Sequence, residues 1–384
     1  MPKVKLGNVV KRIKDKIDKD NTELQYYIGG EHFDNGEVMI KKRGLIAGST
    51  IGPAFHMHFC PGDVLLMSRN PHLRKAGVVN FEGICSDVSY VCRTKDENVL
   101  LQSFLPFIFQ SDSFWTFAEE NKKGSTNFFL NWSDFEKYEF ELPDIDTQKK
   151  LTELLWAIND TKESYHELYK RTDELVKSQF IEMFGLPEDN TQNFEVGYIA
   201  DVVTDVHYGT AKKASDDGKY TYIRMNNITY DGELDLTDVK RITVPEKDLK
   251  GCLVEKGDVL FNRTNSRDLV GKTCTFDLDE PMIIAGYIIR LRMNGKVHSN
   301  YLSTFMNLRR SKAMLLSMAK GAVGQANINA QEVQAIEIII PPEPLQEEFD
   351  ILVEQGNASK MELKQSINKI NGLLAAIMSK VFNS

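Results

Sequence analysis

The tetrapeptide Gly62-Asp63-Val64-Leu65 returns later in the chain as Gly257-Asp258-Val259-Leu260. Further landmarks follow each copy in the same order, about 195–198 residues apart. They are Lys123-Gly124 with Lys320-Gly321, Leu142-Pro143 with Ile340-Pro341, Gln148 with Gln346, and Phe184 with Phe382. Matches this short carry weight only through their shared order and nearly constant spacing. The sequence therefore predicts a tandem duplication of one module.

Each half contains the same order of predicted elements. After the tetrapeptide, residues 84–92 (ICSDVSYVC) and 282–293 (MIIAGYIIRLRM) alternate with the period of two that marks a β-strand. A helix follows in each half, over Val99–Lys123 and Tyr301–Lys320, and a glycine that can adopt the left-handed conformation ends it. A last strand, YEFELP or AIEIIIPP, stops at proline. Both halves are predicted to be compact α+β modules.

The remainder of each half has a helical periodicity. Apolar residues recur at three-four spacing from Gln148 to Phe184 and again from Leu363 onward, which predicts long helices that pack on another helix. The predicted seam consists of Leu151, Leu154, Ile158, Thr161, Tyr165, Leu168, Thr172 and Leu175 in the first helix and Leu363, Ile367, Ile370, Leu374, Ile377 and Val381 in the second. A helix over Asp146–Phe184 is about 58 Å long at about 1.5 Å per residue.

The predicted fold class is α+β, with a pseudo-twofold internal repeat. Two similar α+β modules, residues 1–145 and 186–344, are separated by two long helices, residues 146–185 and 345–384, packed as an antiparallel coiled coil. A protein with approximate twofold symmetry matches a DNA duplex that presents two half-sites. The periodicity alone fits equally well a coiled-coil scaffold that holds two partners apart without touching DNA.

Composition favours a globular protein in a reducing compartment. With 384 residues and 42% hydrophobic composition, the chain can bury two cores. Its five cysteines include no C-x-x-C pair, so neither a disulfide framework nor a zinc ribbon is predicted. The N-terminus is charged where a signal peptide is apolar, and no membrane span is expected. We therefore expect a cytoplasmic protein. The net charge of −8 argues against nucleic acid as a partner.

Motifs for catalysis are incomplete in this sequence. Gly271-Lys272-Thr273 resembles the end of a phosphate-binding loop, but Ser266 stands where the first glycine is needed. There is no G-x-G turn for a dinucleotide or S-adenosylmethionine, and Pro341-Pro342 is followed by Glu343, not by an aromatic residue. His56-x-His58 lacks the further ligand and base of a hydrolytic metal site. No catalytic residue, metal site or cofactor is predicted, which weakens the alternative of a stand-alone nuclease.

Candidate DNA contacts lie in polar loops at matching places of the two halves. Arg, Lys, Asn, Gln and hydroxyl side chains can read base edges or bind phosphate. The loops after the tetrapeptides supply Arg69, Asn70, His72, Arg74 and Lys75 in one half and Arg263, Thr264, Asn265, Ser266 and Arg267 in the other. The loops after the predicted helices supply Ser125, Thr126 and Asn127, and Gln325 and Asn327. A basic run adds Lys41, Lys42 and Arg43. Each could instead be ordinary solvated surface.

Two asparagines near the second pair of loops have a competing structural interpretation. Asn131 and Asn329 match across the repeat, but Ser133-x-x-Glu136 and Asn329-x-x-Glu332 resemble capping boxes. These residues could therefore cap short helices and make no contact with a ligand.

The sequence from Pro61 to Arg93, PGDVLLMSRNPHLRKAGVVNFEGICSDVSYVCR, resembles the first target-recognition domain of type I restriction-modification specificity subunits. ELPDIDTQKKLTELL, its counterpart IIIPPEPLQEEFDIL, and LVKSQFIEMFG resemble the same family, and the doubled order extends the resemblance over essentially the whole chain. The resemblance implies a non-catalytic subunit without cofactors that reads a split site in double-stranded DNA. It also implies two adenine-methylating (M) subunits and ATP-driven restriction (R) subunits as partners, with the helices fixing the unspecified spacer.

Overall fold

The structure, a computed structural model, describes residues 2–320 and 326–382. The chain divides into two compact units. The first contains the residues up to Glu167 together with those from Lys364 onward, and the second is Leu168–Leu363. Both units combine β-sheets with helices, so the predicted α+β class is confirmed.

The first unit contains ten strands and four short helices before its long helix, within the part of the chain that the structure describes. In chain order they are β1 (Lys3–Lys5), α1 (Leu6–Val9), β2 (Val10–Ile13), β3 (Tyr26–Ile28), β4 (Gly44–Leu45), β5 (Phe55–Phe59), β6 (Val64–Met67), β7 (Ala76–Val78), β8 (Gly83–Ser86), β9 (Ser89–Thr94), α2 (Leu105–Gln110), α3 (Asp112–Glu120), α4 (Trp132–Phe135), β10 (Glu139–Glu141) and α5 (Ile145–Phe184). Two four-stranded sheets have the orders β2-β9-β6-β7 and β4-β3-β8-β5, and β1 pairs with β10.

The second unit repeats this arrangement. Its elements in chain order are β11 (Glu195–Tyr198), α6 (Ile199–Val202), β12 (Val203–Tyr208), β13 (Tyr220–Ile223), β14 (Lys240–Ile242), α7 (Glu246–Cys252), β15 (Leu253–Val254), β16 (Val259–Asn262), β17 (Thr264–Asn265), β18 (Thr273–Thr275), β19 (Met282–Ile284), β20 (Ile288–Met293), α8 (Ser299–Asn307), α9 (Arg309–Met318), β21 (Ala326–Asn327), α10 (Ala330–Gln334), β22 (Glu337–Ile340) and α11 (Glu343–Phe382). The four-stranded sheets have the orders β12-β20-β16-β18 and β14-β13-β19-β15, while β11 pairs with β22. The matching strand orders therefore confirm the predicted duplication.

The repeated tetrapeptide has the same structural role in both units. Gly62 and Gly257 adopt φ angles of 89° and 92°, which glycine tolerates best. The following aspartate is buried and accepts a hydrogen bond from the peptide N–H three residues earlier, 2.8 Å for Asp63 and 2.9 Å for Asp258. Each aspartate also pairs with an arginine of a six-residue strand, Arg93 in β9 or Arg292 in β20. The motif thus ties a turn to the sheet that follows it.

The single strands predicted over residues 84–92 and 282–293 are wrong, because each segment forms two strands. A turn at residues 87–88 separates β8 from β9, and residues 285–287 separate β19 from β20. In each pair the first strand belongs to one four-stranded sheet and the second strand to the other. Nearly all of these side chains are buried, because the chain crosses from one sheet to the other within each segment. The alternation of residue types therefore does not separate a buried face from an exposed face.

The continuous helices predicted over Val99–Lys123 and Tyr301–Lys320 are also wrong. The first segment forms α2 and α3, which are separated at Ser111, and the second is divided into α8 and α9 at Leu308. Both separating residues have extended backbone conformations, with ψ angles of 144° and 147°. The Ser111 hydroxyl accepts a hydrogen bond from the Phe114 N–H and so caps the new helix.

The long helices α5 and α11 are confirmed, and neither they nor any other described helix is long and apolar enough to cross a membrane. Within the second unit they run antiparallel, because Phe184 packs on Phe349 while Asp173 meets Lys360. Every predicted seam position of α11 is buried or half-buried.

The predicted seam of α5 is wrong at several positions. Leu154, Leu168 and Leu175 are 47%, 49% and 60% exposed. The buried side of this helix lies about one residue away and includes polar residues. Its buried members are Gln148, Thr152, Leu155, Ile158, Asn159, Lys162, Phe180 and Phe184. A pattern search that counts only apolar residues cannot find a helix face of this composition.

Candidate nucleic-acid interface

The loop after β6 has a fixed backbone in the first unit. Asn70 and Arg74 adopt left-handed conformations with φ angles of 52° and 47°, and Pro71–Leu73 between them forms one 3-10 turn. Asparagine tolerates this conformation better than most residues, and proline is suited to the first position of a helical turn. Arg69 and His72 are exposed, and no ion pair with a described residue occupies either of them.

A second predicted loop lies beside this one. Lys123 and Phe129 exchange backbone hydrogen bonds of 2.8 and 3.0 Å, which closes a turn that leaves Ser125, Thr126 and Asn127 exposed. The Asn70 N–H donates to the Phe128 carbonyl at 2.8 Å. Two segments that are far apart in the sequence therefore form one polar edge of the first unit.

The second unit contains the same arrangement. Strand β17, Thr264–Asn265, pairs antiparallel with β21, Ala326–Asn327, and the Thr264 hydroxyl donates to the Asn327 side-chain oxygen at 2.9 Å. Ser266 and Arg267 are exposed next to this pair. The predicted contact Gln325 lies outside the described residues. As in the first unit, the loop after the tetrapeptide and the loop after the short helices come together.

Backbone hydrogen bonds fix which residues of the two loops correspond. Leu130 N–H donates to the Ser68 carbonyl at 2.8 Å, and Ile328 N–H donates to the Arg263 carbonyl at 2.9 Å. Ser68 therefore corresponds to Arg263, and the next pairs are Arg69 with Thr264 and Asn70 with Asn265. The arginines of the two loops occupy positions that differ by one residue, whereas the asparagines correspond directly.

Arg263 is held against an aromatic ring. Its guanidinium carbon lies 4.7 Å from the centre of the Tyr208 ring, and the Tyr208 hydroxyl accepts a hydrogen bond of 2.9 Å from the Ala330 N–H. Stacking of this kind limits the motion of the arginine and leaves its terminal nitrogens available to a ligand. Tyr208, at the end of β12, is a member of this edge that the sequence analysis missed, and no local sequence pattern marks it.

Several predicted contact residues are already engaged within the chain. Arg74 pairs with Asp112 at 2.5 Å, and the Asn265 side chain donates to the Asn262 side chain at 3.0 Å. Lys75 Nζ donates to the Gly30 carbonyl at 2.6 Å. The corresponding lysine of the second unit, Lys272, donates to the Met225 carbonyl at the same distance. The matching contacts give Lys75 a structural role.

The basic run at residues 41–43 is exposed, but its side chains have partners. Lys41 pairs with Glu163, and Lys42 pairs with Asp34 at 2.5 Å. The Arg43 guanidinium lies 3.8 Å from the Tyr26 ring centre and 4.8 Å from that of Phe81. Arg43 therefore resembles Arg263, since both are stacked arginines with available nitrogens.

Asn329 caps a helix, as the alternative interpretation of the sequence proposed. Its side-chain oxygen accepts hydrogen bonds of 2.9 Å from the Gln331 and Glu332 N–H groups, and Glu332 reaches back to the Asn329 N–H at 2.9 Å. Asn131 stands at the corresponding start of α4, but its side chain makes no capping hydrogen bond.

The sequence and the fold of this chain are similar to those of specificity subunits of type I restriction enzymes. Residues 188–371 match the family model of the type I restriction modification DNA specificity domain. The type I restriction enzyme EcoKI specificity subunit of Escherichia coli (strain K12) is 21% identical over 320 residues, which cover 78% of this chain and 68% of that protein. The putative type I restriction enzyme MjaX specificity subunit of Methanocaldococcus jannaschii is 25% identical over 201 residues, covering 51% and 46% respectively.

The fold is shared with two solved structures along 99% of this chain. The S subunit of a type I restriction-modification system from M. genitalium has a TM-score of 0.56 at 13% identity, over 96% of its chain. A chain from a study of complex assembly and conformational transition of the type I R-M system has a TM-score of 0.54 at 18% identity, over 97% of its chain. Residues 188–371 therefore belong to the type I restriction modification DNA specificity domain family, and the chain as a whole shares the fold of the two solved structures.

The match to a DNA specificity domain agrees with the placement of the motifs that resembled catalytic loops. Lys272 is buried before strand β18, where desolvation lowers its pKa, and no helix begins there to support a phosphate loop. Pro341 and Pro342 link β22 to the long helix α11, and the Pro341 carbonyl accepts a hydrogen bond from Gln346 at 2.8 Å. Both motifs therefore have structural explanations.

Proposed function

We propose that this chain reads a split site in double-stranded DNA and directs methyltransferase (M) and restriction (R) subunits to that site, without catalysing a reaction itself. The observation that carries the proposal is the pair of equivalent polar edges. Each edge joins the loop after a Gly-Asp-Val-Leu turn to the loop after the short helices. Two equivalent edges in one chain suit a DNA site with two specific halves.

The DNA-contacting groups of the two edges differ in kind. The first edge offers Arg69, Asn70, His72 and the exposed residues 125–127, and the second offers Arg263, Ser266 and Arg267. Arginine reads guanine through two hydrogen bonds, whereas asparagine suits adenine. Because Arg69 corresponds to Thr264 and Arg263 corresponds to Ser68, we propose that the two units read different half-sites.

The acidic net charge is compatible with this function. Several basic side chains are neutralised within the chain, including Lys41 by Glu163 and Arg74 by Asp112. Attraction to the DNA phosphates is therefore a small part of what this chain itself contributes to binding. We propose that the M subunits supply most of the attraction to phosphate. The long helices α5 and α11 set the length of the unspecified spacer, and the complex acts in the cytoplasm.

The test begins by sequencing methylated adenines in cells with and without the chain, which returns the split site. Binding of the assembled M-and-S complex to that duplex is then compared for Arg69→Ala, Arg263→Ala and the control Arg309→Ala. Arg309 is also exposed but lies on α9, outside both edges. We expect each edge variant to weaken specific binding by about 1–3 kcal/mol.

Scrambled half-sites make the test specific. Arg69→Ala should have no further effect on a duplex whose first half-site is scrambled, and Arg263→Ala should behave in the same way toward the second. An equal loss on every duplex assigns these arginines to phosphate. Binding that is as strong in both edge variants as in the Arg309→Ala control would contradict the proposal.

A further inference from the structure

Three metal-binding side chains meet in the first unit, apart from the polar edge. One ligand atom from each of His58, Cys60 and Glu82 lies within 4.8 Å of the others. His58 Nε2 is 2.8 Å from Glu82 Oε1 and 3.9 Å from Cys60 Sγ. His58 belongs to β5, Cys60 to the turn before β6, and Glu82 to the turn before β8. Within the described residues, this is the one such group.

The remaining nitrogen of the histidine is fixed by a carboxylate. His58 Nδ1 lies 2.9 Å from Asp15 Oδ2, and the imidazole side chain is only 14% exposed. A carboxylate on the far nitrogen of a histidine is the usual outer-shell support of a metal ligand, because it orients the ring and keeps the proton on that nitrogen. Nε2 is thereby directed toward Cys60 and Glu82.

The cysteine is fixed as well. Its N–H donates a hydrogen bond of 2.8 Å to buried Asp63, which also pairs with Arg93. Cys60 is half-buried, whereas the other four cysteines of the chain are fully buried. One thiol of the chain is therefore reachable from solvent, and it is the one beside the histidine.

We propose that His58 Nε2, Cys60 Sγ and Glu82 Oε1 bind one Zn²⁺ ion, with Asp15 as the outer-shell partner of His58. Metal–ligand bonds of about 2.0–2.3 Å in a tetrahedron place neighbouring ligand atoms about 3.3–3.6 Å apart. The observed separations from His58 Nε2 are 2.8 and 3.9 Å, and the three ligand atoms lie within 4.8 Å of one another. Closing around an ion therefore requires a movement of about 1 Å, which the exposed side chain of Glu82 can make. A thiolate with an imidazole selects zinc over magnesium or calcium.

The second unit lacks the same ligands. The turn that contains Cys60 corresponds to the turn with Glu255, since both N–H groups donate to the tetrapeptide aspartate. Two residues before it stands Leu253 in place of His58. The full chain is therefore expected to bind one ion, and the ion links β5, the following turn and the approach to β8 in the first unit.

The site is tested on the full chain after treatment with a chelator, using Co²⁺ as a spectroscopic probe and Zn²⁺ as the competitor. We expect one Co²⁺ per chain with a thiolate-to-cobalt charge-transfer band that Zn²⁺ abolishes. Cys60→Ser should remove the band, and His58→Gln and Glu82→Gln should each weaken binding at least tenfold. Asp15→Asn should weaken it by about 10-fold or more. His56→Gln is the matched control, because this half-buried histidine of β5 bonds the Pro53 carbonyl instead.

Thiol reactivity provides a second measurement that does not depend on the band. Zn²⁺ should slow the reaction of the native chain's accessible thiol with a disulfide reagent, and it should do so in His56→Gln but not in His58→Gln. Circular dichroism establishes that each variant is folded. No charge-transfer band, a band that persists in Cys60→Ser, or equal weakening in His56→Gln would overturn the assignment and leave His58 as an ion-pair partner of Asp15 and Glu82.

Discussion

The amino group of Lys312, in the second unit, is largely removed from solvent, although lysine is normally charged. Its Nζ donates to the Gly271 carbonyl at 3.0 Å and lies 5.2 Å from the centre of the Tyr230 ring. Burial, with a smaller contribution from Lys177, lowers the pKa of Lys312 to about 7. At neutral pH Lys312 is therefore deprotonated in a large fraction of the folded molecules.

The lowered pKa of Lys312 predicts a pH-dependent cost in stability. The unfolded chain keeps the ordinary lysine pKa of about 10.4, so between about pH 7 and pH 10 it binds more protons than the folded chain, and the free energy of unfolding rises with pH. We expect Lys312→Met to stabilise the protein by about 1–3 kcal/mol near pH 7, with the gain falling toward zero near pH 10.

Urea unfolding of Lys312→Met at several pH values measures this gain. Lys247→Met is the control, because Lys247 is exposed in the same unit. A gain of equal size at every pH would show that the methionine acts by apolar packing and not by removing a titrating group.

Basic residues show where prediction from sequence stops at this scale. Arg69 and Lys75 stand in the same loop and were both predicted to contact DNA, yet Arg69 is exposed and Lys75 is bonded to the Gly30 carbonyl. The sequence shows that a side chain is charged, but it does not show which backbone carbonyl that side chain meets in the folded chain. His58 shows the same limit, because Asp15 and Glu82 are far from it in the sequence and contact it only in the folded chain.

At the scale of elements, one glutamine anchors each long helix in the same way. Gln346 near the start of α11 accepts from the His298 N–H at 2.7 Å and donates to the Lys296 and Pro341 carbonyls at 3.0 and 2.8 Å. Gln148 makes the equivalent three bonds in α5, to Leu101, Val99 and Pro143. Each glutamine joins the helix to the loop before the short helices and to the preceding proline.

We predict that Gln346→Glu destabilises the second unit by about 2–4 kcal/mol. The carboxylate has the same shape but cannot donate, so two carbonyls lose their partner and a charge is buried in their place. The free energy of unfolding in urea at pH 7 is the measurement, and Gln365→Glu is the control because Gln365 is exposed on the same helix. If both variants lose the same stability, the hydrogen bonds of Gln346 contribute nothing of their own.

The elements that sequence predicts best are those with one partner and one periodicity. The helices α5 and α11 have no proline in their interiors, and their bounds differ from the prediction by only a few residues. The segments around Asp87 and Ser111 are predicted as one continuous strand and one continuous helix. The residues there are compatible both with a continuous element and with a break in it, so the sequence does not mark the break. Only the change from one sheet to the other, or the new cap at Ser111, decides between them.

At the scale of the whole molecule, the duplication supplies what the proposed function requires, two similar units in one chain for two half-sites. The tetrapeptide, the glutamine anchors and the pairing of two loops into a polar edge recur in both units, while the exposed side chains of the edges differ. Repetition of the buried residues preserves the fold of each unit, and variation at the edges changes what each unit reads. Recognition of one half-site should therefore be separable from recognition of the other.

The last prediction tests this separation by exchanging one unit. The exchanged parts must be residues 1–167 together with residues 364–384, which form the first unit, because Phe382 packs on Phe104 at 5.5 Å and its carbonyl accepts a hydrogen bond of 3.1 Å from the Ser113 hydroxyl. A chimera that takes both parts from a relative with a different first half-site should methylate a site whose first half has changed and whose second half and spacer have not. Sequencing of methylated adenines in cells that also make the M subunits gives the result. A second chimera without the C-terminal part should have the same new specificity but lower stability, since its first core is mismatched. If the complete chimera changes both half-sites, the two units do not read DNA independently, and the equivalence of their polar edges does not explain the split site.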